Sequence, residues 1–381
     1  MPFPLRLVSL LVAGCVGALV PASPVAADDH SLQSGLDELV AAPGGPPGVI
    51  VVLRDGDRQR VLRAGTADLT TGRPLEPDDH TRTASTSKAF SGAVALSLVR
   101  QHRLALDDTI GARLPQLPKA WRAVTLRQLL QHTSGLPDFS QSQEFRSLIQ
   151  ADPHHHFDSR RLLDFVAGEP LRFAPGLRYQ YSNSDNIAVA LMAEAATGAR
   201  YDDLLRHDVY RPLGLRDTSL PQGYRMPKPY MHGYAVGGPS GPEDVSEAIG
   251  MSGVWASGGI TSSPRDLTSF IGGYAAGALT SRAALREQRH WIPGASEPAG
   301  PGRNSAGLAL FRYDTRCGVV LGHTGNTLGY TQLIAATPDG RRALTFSLTT
   351  QVNQTGNAAL LSKLRSVEED AVCSLLGTYG S

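Results

Sequence analysis

The chain is short of lysine, cysteine and aromatic residues, and each shortage narrows what it can be. Only four lysines, Lys88, Lys119, Lys228 and Lys363, stand against 32 arginines in 381 residues. Arginine stays protonated at workable pH, whereas a desolvated lysine can lose its proton, so a lysine kept inside a motif here is informative. Three cysteines are too few for a disulfide-stapled miniprotein or a cysteine-rich zinc site. Charge of one sign is also missing: 36 basic and 35 acidic residues leave a net +1, which removes any sequence support for nucleic-acid binding. The one long apolar stretch, from Leu7 to Val20, is broken by Gly14 and Gly17 and is too short for a stable membrane span.

That stretch follows Arg6 and is followed by Val25-Ala26-Ala27 before Asp28, the pattern of a secretory signal. A signal peptide over residues 1–27, a mature domain over 28–381 and a secreted product are expected. Val12-Ala-Gly-Cys15 also fits a lipoprotein box, so a lipid anchor at Cys15 is the alternative, against which the short leader counts. Cys317 and Cys373 remain as one even pair, and in an exported protein they are expected to form a disulfide. Two free buried thiols are the alternative.

What is present begins with Ser85-Thr86-Ser87-Lys88 at the head of an apolar run, Ala89, Phe90, Ala93, Val94, Leu96 and Val99. A spacing of three puts hydroxyl and amine on one helical face, about one turn apart. A serine hydroxyl attacks only when a base takes its proton, and a neutral lysine beside it can do so. Alone, the pattern is more often a capping serine beside a solvated lysine. Two further motifs change that. Tyr181-Ser-Asn183 lies in a turn-rich stretch after Pro175-Gly176, where a phenol and a carboxamide can enter one cleft. His323-Thr324-Gly325 follows the strand-like run Gly318–Leu321, and its glycine allows close backbone approach. No Gly-x-Ser-x-Gly elbow occurs, which leaves an α/β-hydrolase without support.

In this order and spacing the three motifs resemble those of the penicillin-recognising serine hydrolases, the group of DD-peptidases and class C β-lactamases. His-Thr-Gly in third place is most similar to secreted actinobacterial-type D-alanyl-D-alanine carboxypeptidases and their esterase relatives. The resemblance extends to Gly65-Thr-Ala-Asp68, Thr125–Leu136, Pro212-Leu-Gly-Leu215, Gly258–Leu267 and Asp314–Cys317. It implies Ser85 as nucleophile, Lys88 and Tyr181 as proton carriers with the base undecided between them, and Asn183 orienting the substrate amide. It also implies an oxyanion hole from the N–H groups of Ser85 and Asn326, with His323, Thr324 and Gly325 beside the leaving group. A packed strand-end role is the alternative for His323. Trp255, in Gly253–Gly259, is expected either to wall the cleft or to sit in the core. Asn326, and Phe311 where a carboxylate-gripping cation is expected, depart from the carboxypeptidase pattern.

The coarse architecture is α/β (α+β), the fold the resemblance implies: an antiparallel sheet flanked by helices plus an all-helical lobe. Strands are expected at 48–54, 59–65, 317–322, 328–336 and 342–350, and a closing helix at 355–376. The α/β lobe takes 28–84 and 260–381, and the helical lobe 85–259. The Gly/Pro-rich segment 293–306 reads as a surface loop. His132 is expected to end a helix without a catalytic role. His154-His155-His156 does not read as a metal site, and no cofactor is expected. The function read is a secreted serine hydrolase acting on a small-molecule or peptide substrate through an acyl-enzyme at Ser85. A D-alanyl-D-alanine carboxypeptidase leads, with an esterase or β-lactamase next and a non-catalytic β-lactam or peptidoglycan sensor as the alternative of another class.

Overall fold

The computed structural model describes Met1 and residues 24–377, so the expected leader, with Cys15, falls outside the described residues except for its last few positions. Helix α1 (Pro24–Ala41) leads into a hairpin of β1 (Gly48–Asp55) and β2 (Arg58–Gly65), turning at Gly56. After a mostly helical middle the chain returns as β3 (Ile292–Pro293), β4 (Arg303–Ala306), β5 (Phe311–Thr315), β6 (Gly318–Thr327), β7 (Tyr330–Ala336) and β8 (Arg342–Leu348). These strands form one antiparallel sheet in the order β2-β1-β8-β7-β6-β5-β4-β3. The first hairpin therefore lies against the last strand, pairing Val49 with Leu348 and Asp55 with Arg342. Such a pairing closes sheet and chain together, and it is what the strands at both ends of the sequence implied.

Alternation along the strands loads both faces. Val49, Val51, Leu53, Leu344 and Phe346 pack with α1 and with the closing helix Ala358–Leu376 through Leu32, Leu36, Leu364 and Val372. On the other face lie Pro264–Ala276 and the helical middle, where Leu321, Ile334 and Ala343 meet Leu267, Phe270 and Ile271. The helix Ser87–Arg100 is buried from Ser87 to Leu98, and Phe90 stacks on Phe270 with ring centres 3.6 Å apart. Helix Asn183–Thr197 buries Ser184 to Ala193 and stops at Gly198, whose φ of +74° supplies the left-handed cap. A capping box at Thr125 and Gln128 starts the short helix Leu126–Leu130, a device worth about 1 kcal/mol. Among the described residues no helix is long and apolar enough to cross a membrane.

Cys317 and Cys373 are joined, Cα atoms 5.1 Å apart, tying the turn before β6 to the C-terminal helix as the even pair suggested. Segment 293–306 is not the free surface loop its composition suggested. It carries β3 and β4, and between them a strap held down by side chains: the Tyr179 hydroxyl donates to Ala295 O at 2.6 Å, Ser296 Oγ bonds Tyr313 Oη at 3.0 Å, and Thr324 Oγ1 donates to Pro298 O at 2.5 Å. Glycine and proline permit the tight path; tyrosines and a threonine far away in sequence fix it.

Candidate active site

Ser85 sits in a 3-10 turn, Ala84–Thr86, that feeds the buried helix Ser87–Arg100. Ala84 is forced to φ +49°, a conformation that disfavours a side chain. The turn is clamped from behind: Thr83 Oγ1 bonds Ser87 Oγ at 2.9 Å and donates to Ile260 O at 2.9 Å, while Ile260 N donates to Ser87 Oγ at 3.1 Å. Strand β6 presses on it at Gly325, where a Cβ would stand 2.4 Å from Thr83 O and 3.1 Å from Ser85 N. Glycine is required there because two backbones meet.

One turn into the helix, Lys88 is fully buried. Its Nζ donates to Ser85 Oγ at 3.1 Å, Asn183 Oδ1 at 2.8 Å and Ser257 O at 2.8 Å, and lies 4.9 Å from the centre of the Tyr181 ring. Burial pulls its pKa down to about 7, against the opposing pull of Asp138, Glu297 and Asp185. A lysine that is half neutral at neutral pH, within hydrogen-bond reach of a serine, fits a general base. Tyr181 goes the other way: burial holds its phenol well above the ordinary value, with Ser85 pulling only partly back. Its hydroxyl faces Ser85 without a well-formed hydrogen bond to any described residue. Between the two proton carriers left open by the sequence, the environment favours Lys88 as base and Tyr181 as a neutral donor.

Asn183 opens the helix Asn183–Thr197 and holds Lys88 rather than standing free for substrate. Its Nδ2 donates to Asp138 Oδ2 at 3.0 Å and Ser140 Oγ at 3.1 Å, and Asp138 also accepts from Asn183 N and from Ser140 N and Oγ. Asp138 and Ser257 were missed from the sequence. An Asp-x-Ser turn is a common local motif, and Ser257 is far from any lysine in sequence, although Lys88 donates to its carbonyl.

Behind Tyr181, the ring of His132 lies 4.6 Å away, centre to centre, and its Nδ1 contacts Asp185 Oδ2 at 2.7 Å. His132 does follow the end of a helix, Leu126–Leu130, and its ring turns to Asp185. Burial pushes the Asp185 carboxyl well above its ordinary value and the His132 imidazole down to about 3.

Of the residues expected in the cleft, His323 and Trp255 take the packed alternative left open for each, and Thr324 is corrected. His323 is wholly buried, edge-on to Phe311, with Nδ1 2.6 Å from Thr324 O; burial and then Lys88 lower its pKa to about 3. It packs behind the site instead of lining it. Thr324 spends its hydroxyl on Pro298 O and is likewise buried. Trp255 faces the core, its ring edge-on to Tyr201 and under the Arg160 guanidinium. Side-chain alternation and the helix turn at 255–258 decide these orientations, and short motifs carry no such information.

The cleft itself has a volume of about 900 Å³ and is lined by Ser85, Tyr181, Asn183, Ser257 and Asn326, together with Glu297 and Arg365. Asn326 Nδ2 donates to Val352 O at 2.9 Å, and its Oδ1 accepts from Thr331 Oγ1. Glu297 has its pKa raised by burial, with Lys88 acting in the opposite sense. The His154–His156 run is spent on packing: His154 stacks on Tyr224 and His155 meets Phe157 edge-on.

Comparison with known proteins agrees with this geometry. The family described as Beta-lactamase matches residues 36–367. Penicillin-binding protein 4* of Bacillus subtilis (strain 168) is 27% identical over 235 residues, 58% of this chain and 51% of that protein. A D-aminopeptidase of Cereibacter sphaeroides (strain KD131) is 29% identical over 311 residues, 80% of this chain and 56% of the relative. The chain thus spans about half the length of the curated relatives it matches. The D-amino acid amidase of Ochrobactrum anthropi SV3, in complex with D-phenylalanine, superposes with a TM-score of 0.78 at 26% identity, covering 91% of this chain and 99% of that one.

Proposed function

We propose, for a chain that belongs to the Beta-lactamase family of serine hydrolases, that it hydrolyses D-amino acid amides or the first peptide bond of short peptides beginning with a D-residue. The observation that carries this reading is the state of the cations around the cleft. A carboxypeptidase must grip the terminal carboxylate of its substrate with a free cation. Arg365 instead donates to Gly300 O at 3.1 Å and Gly302 O at 2.8 Å, and Lys88 is spent on Ser85, Asn183 and Ser257. Phe311, where a cation was expected, is buried. The D-aminopeptidase and D-amino acid amidase relatives support the same shift away from a D-alanyl-D-alanine carboxypeptidase. An export route fits the Cys317–Cys373 disulfide, which persists in oxidising compartments.

In this reading Ser85 Oγ attacks the amide carbonyl carbon while Lys88 Nζ takes its proton. The tetrahedral oxyanion rests on the N–H groups expected from Ser85 and Asn326. Its collapse breaks the C–N bond, the proton held by Lys88 passes to the leaving amine directly or through Tyr181, and Ser85 is left as an ester with Lys88 neutral again. Water then attacks that ester, Lys88 takes its proton and returns it to Ser85 Oγ as the C–O bond breaks, and the D-amino acid leaves. The test is release of ammonia or p-nitroaniline from D- and L-alanine amide and anilide, beside a D-Ala-D-Ala-terminated peptide and a penicillin, with Ser85→Ala as control. D-selective amide turnover lost in Ser85→Ala is expected. Turnover confined to the D-Ala-D-Ala peptide, or to the penicillin, would overturn the reading.

A further inference from the structure

We propose that the Glu297 carboxylate receives the free α-ammonium group of the substrate, so that the cleft selects unblocked D-aminoacyl donors over N-acylated ones. This rests on the D-aminoacyl reading of the same site and names the residue that enforces it.

Glu297 is the one carboxylate among the described residues lining the cleft. Three of the polar groups nearby are already committed. Arg365 is tied to two carbonyls, Asn326 to Val352 and Thr331, and Asp138, behind Asn183, accepts from Asn183 and Ser140. Glu297 differs from these three, since no hydrogen bond or ion pair to its carboxylate is found among the described residues, and it is the charged group left open in the cleft. The Glu297 side chain is exposed to solvent at the edge of the cleft, and a carboxylate there without a counter-cation is open to an arriving ammonium group.

Its position is fixed as well. The flanking backbone is pinned on both sides, at Ala295 by Tyr179 and at Pro298 by Thr324, while Ser296 is held by Tyr313. Two glycines let the strap lie flat on those rings. A Cβ at Gly294 would stand 2.7 Å from the Tyr179 ring, and one at Gly300 2.5 Å from the Tyr313 ring. Tyr179 is two residues from Tyr181, so the anchor of the strap and the proton carrier share one short segment. The carboxylate lines the same cleft as Ser85 and Tyr181, and its charge raises the pKa values of Lys88 and Tyr181. An α-ammonium lies two bonds from the carbonyl that Ser85 attacks, and a carboxylate facing this part of the cleft suits it. A D-configured donor then has three fixed points: carbonyl at Ser85, ammonium at Glu297, and side chain in the remaining space.

The rival role for Glu297 is to hold up the pKa of Lys88, which would affect every substrate alike. Substrate pairs separate the two. Wild type, Glu297→Gln and Glu297→Asp would be assayed at neutral pH on D-alanine p-nitroanilide and on its N-acetyl derivative, with melting curves for each protein. Loss of a charge-assisted contact predicts that Glu297→Gln loses about 30-fold in kcat/KM on the free amine and changes by less than about threefold on the acetylated substrate. Glu297→Asp, which keeps the charge, should recover part of the loss. Equal changes on both substrates, or none on either, would overturn the assignment while leaving the D-aminoacyl reading standing. If wild type cleaves only the acetylated anilide, or neither anilide but simple esters, the D-aminoacyl reading fails and the assignment with it.

Discussion

At the residue scale the decisive group is Lys88, because burial does to it what it cannot do to arginine. Its pKa near 7 makes the rate of acylation depend on pH in a stated direction. Below about pH 7 the amine is protonated and cannot accept the proton of Ser85, so kcat/KM should fall about tenfold per unit of acidification. Above that value it should level off, since Tyr181 is held neutral well past the ordinary phenol range. A pH profile on a substrate without titratable groups reads this directly. An acid limb centred near pH 4 or 10 would sink the assignment of Lys88 as base. Lys88→Arg keeps the charge and loses the base, and a drop of roughly 100- to 10,000-fold with no acid limb is expected.

Residue strain gathers at the same place. Ala84, His132 and Trp255 all have positive φ, at +49°, +55° and +34°, and each adjoins a segment that touches Ser85, Tyr181 or Lys88. Such conformations persist only where the surroundings enforce them. Here the hydroxyls of Thr83 and Ser87 do so for the nucleophile turn.

At the scale of elements, the site is made where a strand meets a turn. Gly325 lets β6 approach Thr83 and Ser85 closely, and that approach brings the backbone of Asn326 alongside the nucleophile. Gly325→Ala would need two backbones to part. It is expected to cost on the order of 1–3 kcal/mol in denaturant unfolding and to slow acylation at least about tenfold. An alanine variant with wild-type acylation would show that the contact between β6 and the turn is not what sets the site. The strap between β3 and β4 works by the same logic, since Thr324, expected beside the leaving group, instead holds Pro298 and so places Glu297.

At the scale of the molecule, the sheet closes through β1 and β8, and the N- and C-terminal helices cover one face together. The Cys317–Cys373 bond fastens that cover to the strand carrying the third motif. Closing a loop with a sequence separation of 56 is worth about 4 kcal/mol in the chain-entropy account. Reduction, or a Cys317→Ala/Cys373→Ala pair, should lower the melting temperature while leaving acylation at low temperature intact. Loss of acylation without loss of stability would contradict this. By itself the sequence determined the three motifs, the hairpin and strand pattern, the pairing of the last two cysteines, and the identities of Ser85, Lys88 and Tyr181. Those are local: a spacing of three on a helix, an alternation of two on a strand, a count of thiols. Only the tertiary structure decided which way His323, Thr324 and Trp255 face, that Asn183 holds Lys88 with Ser257, and that Glu297 stands open in the cleft while Arg365 does not. Each of these depends on contacts between segments far apart in the chain, and on how burial divides protons among them, which no short motif encodes.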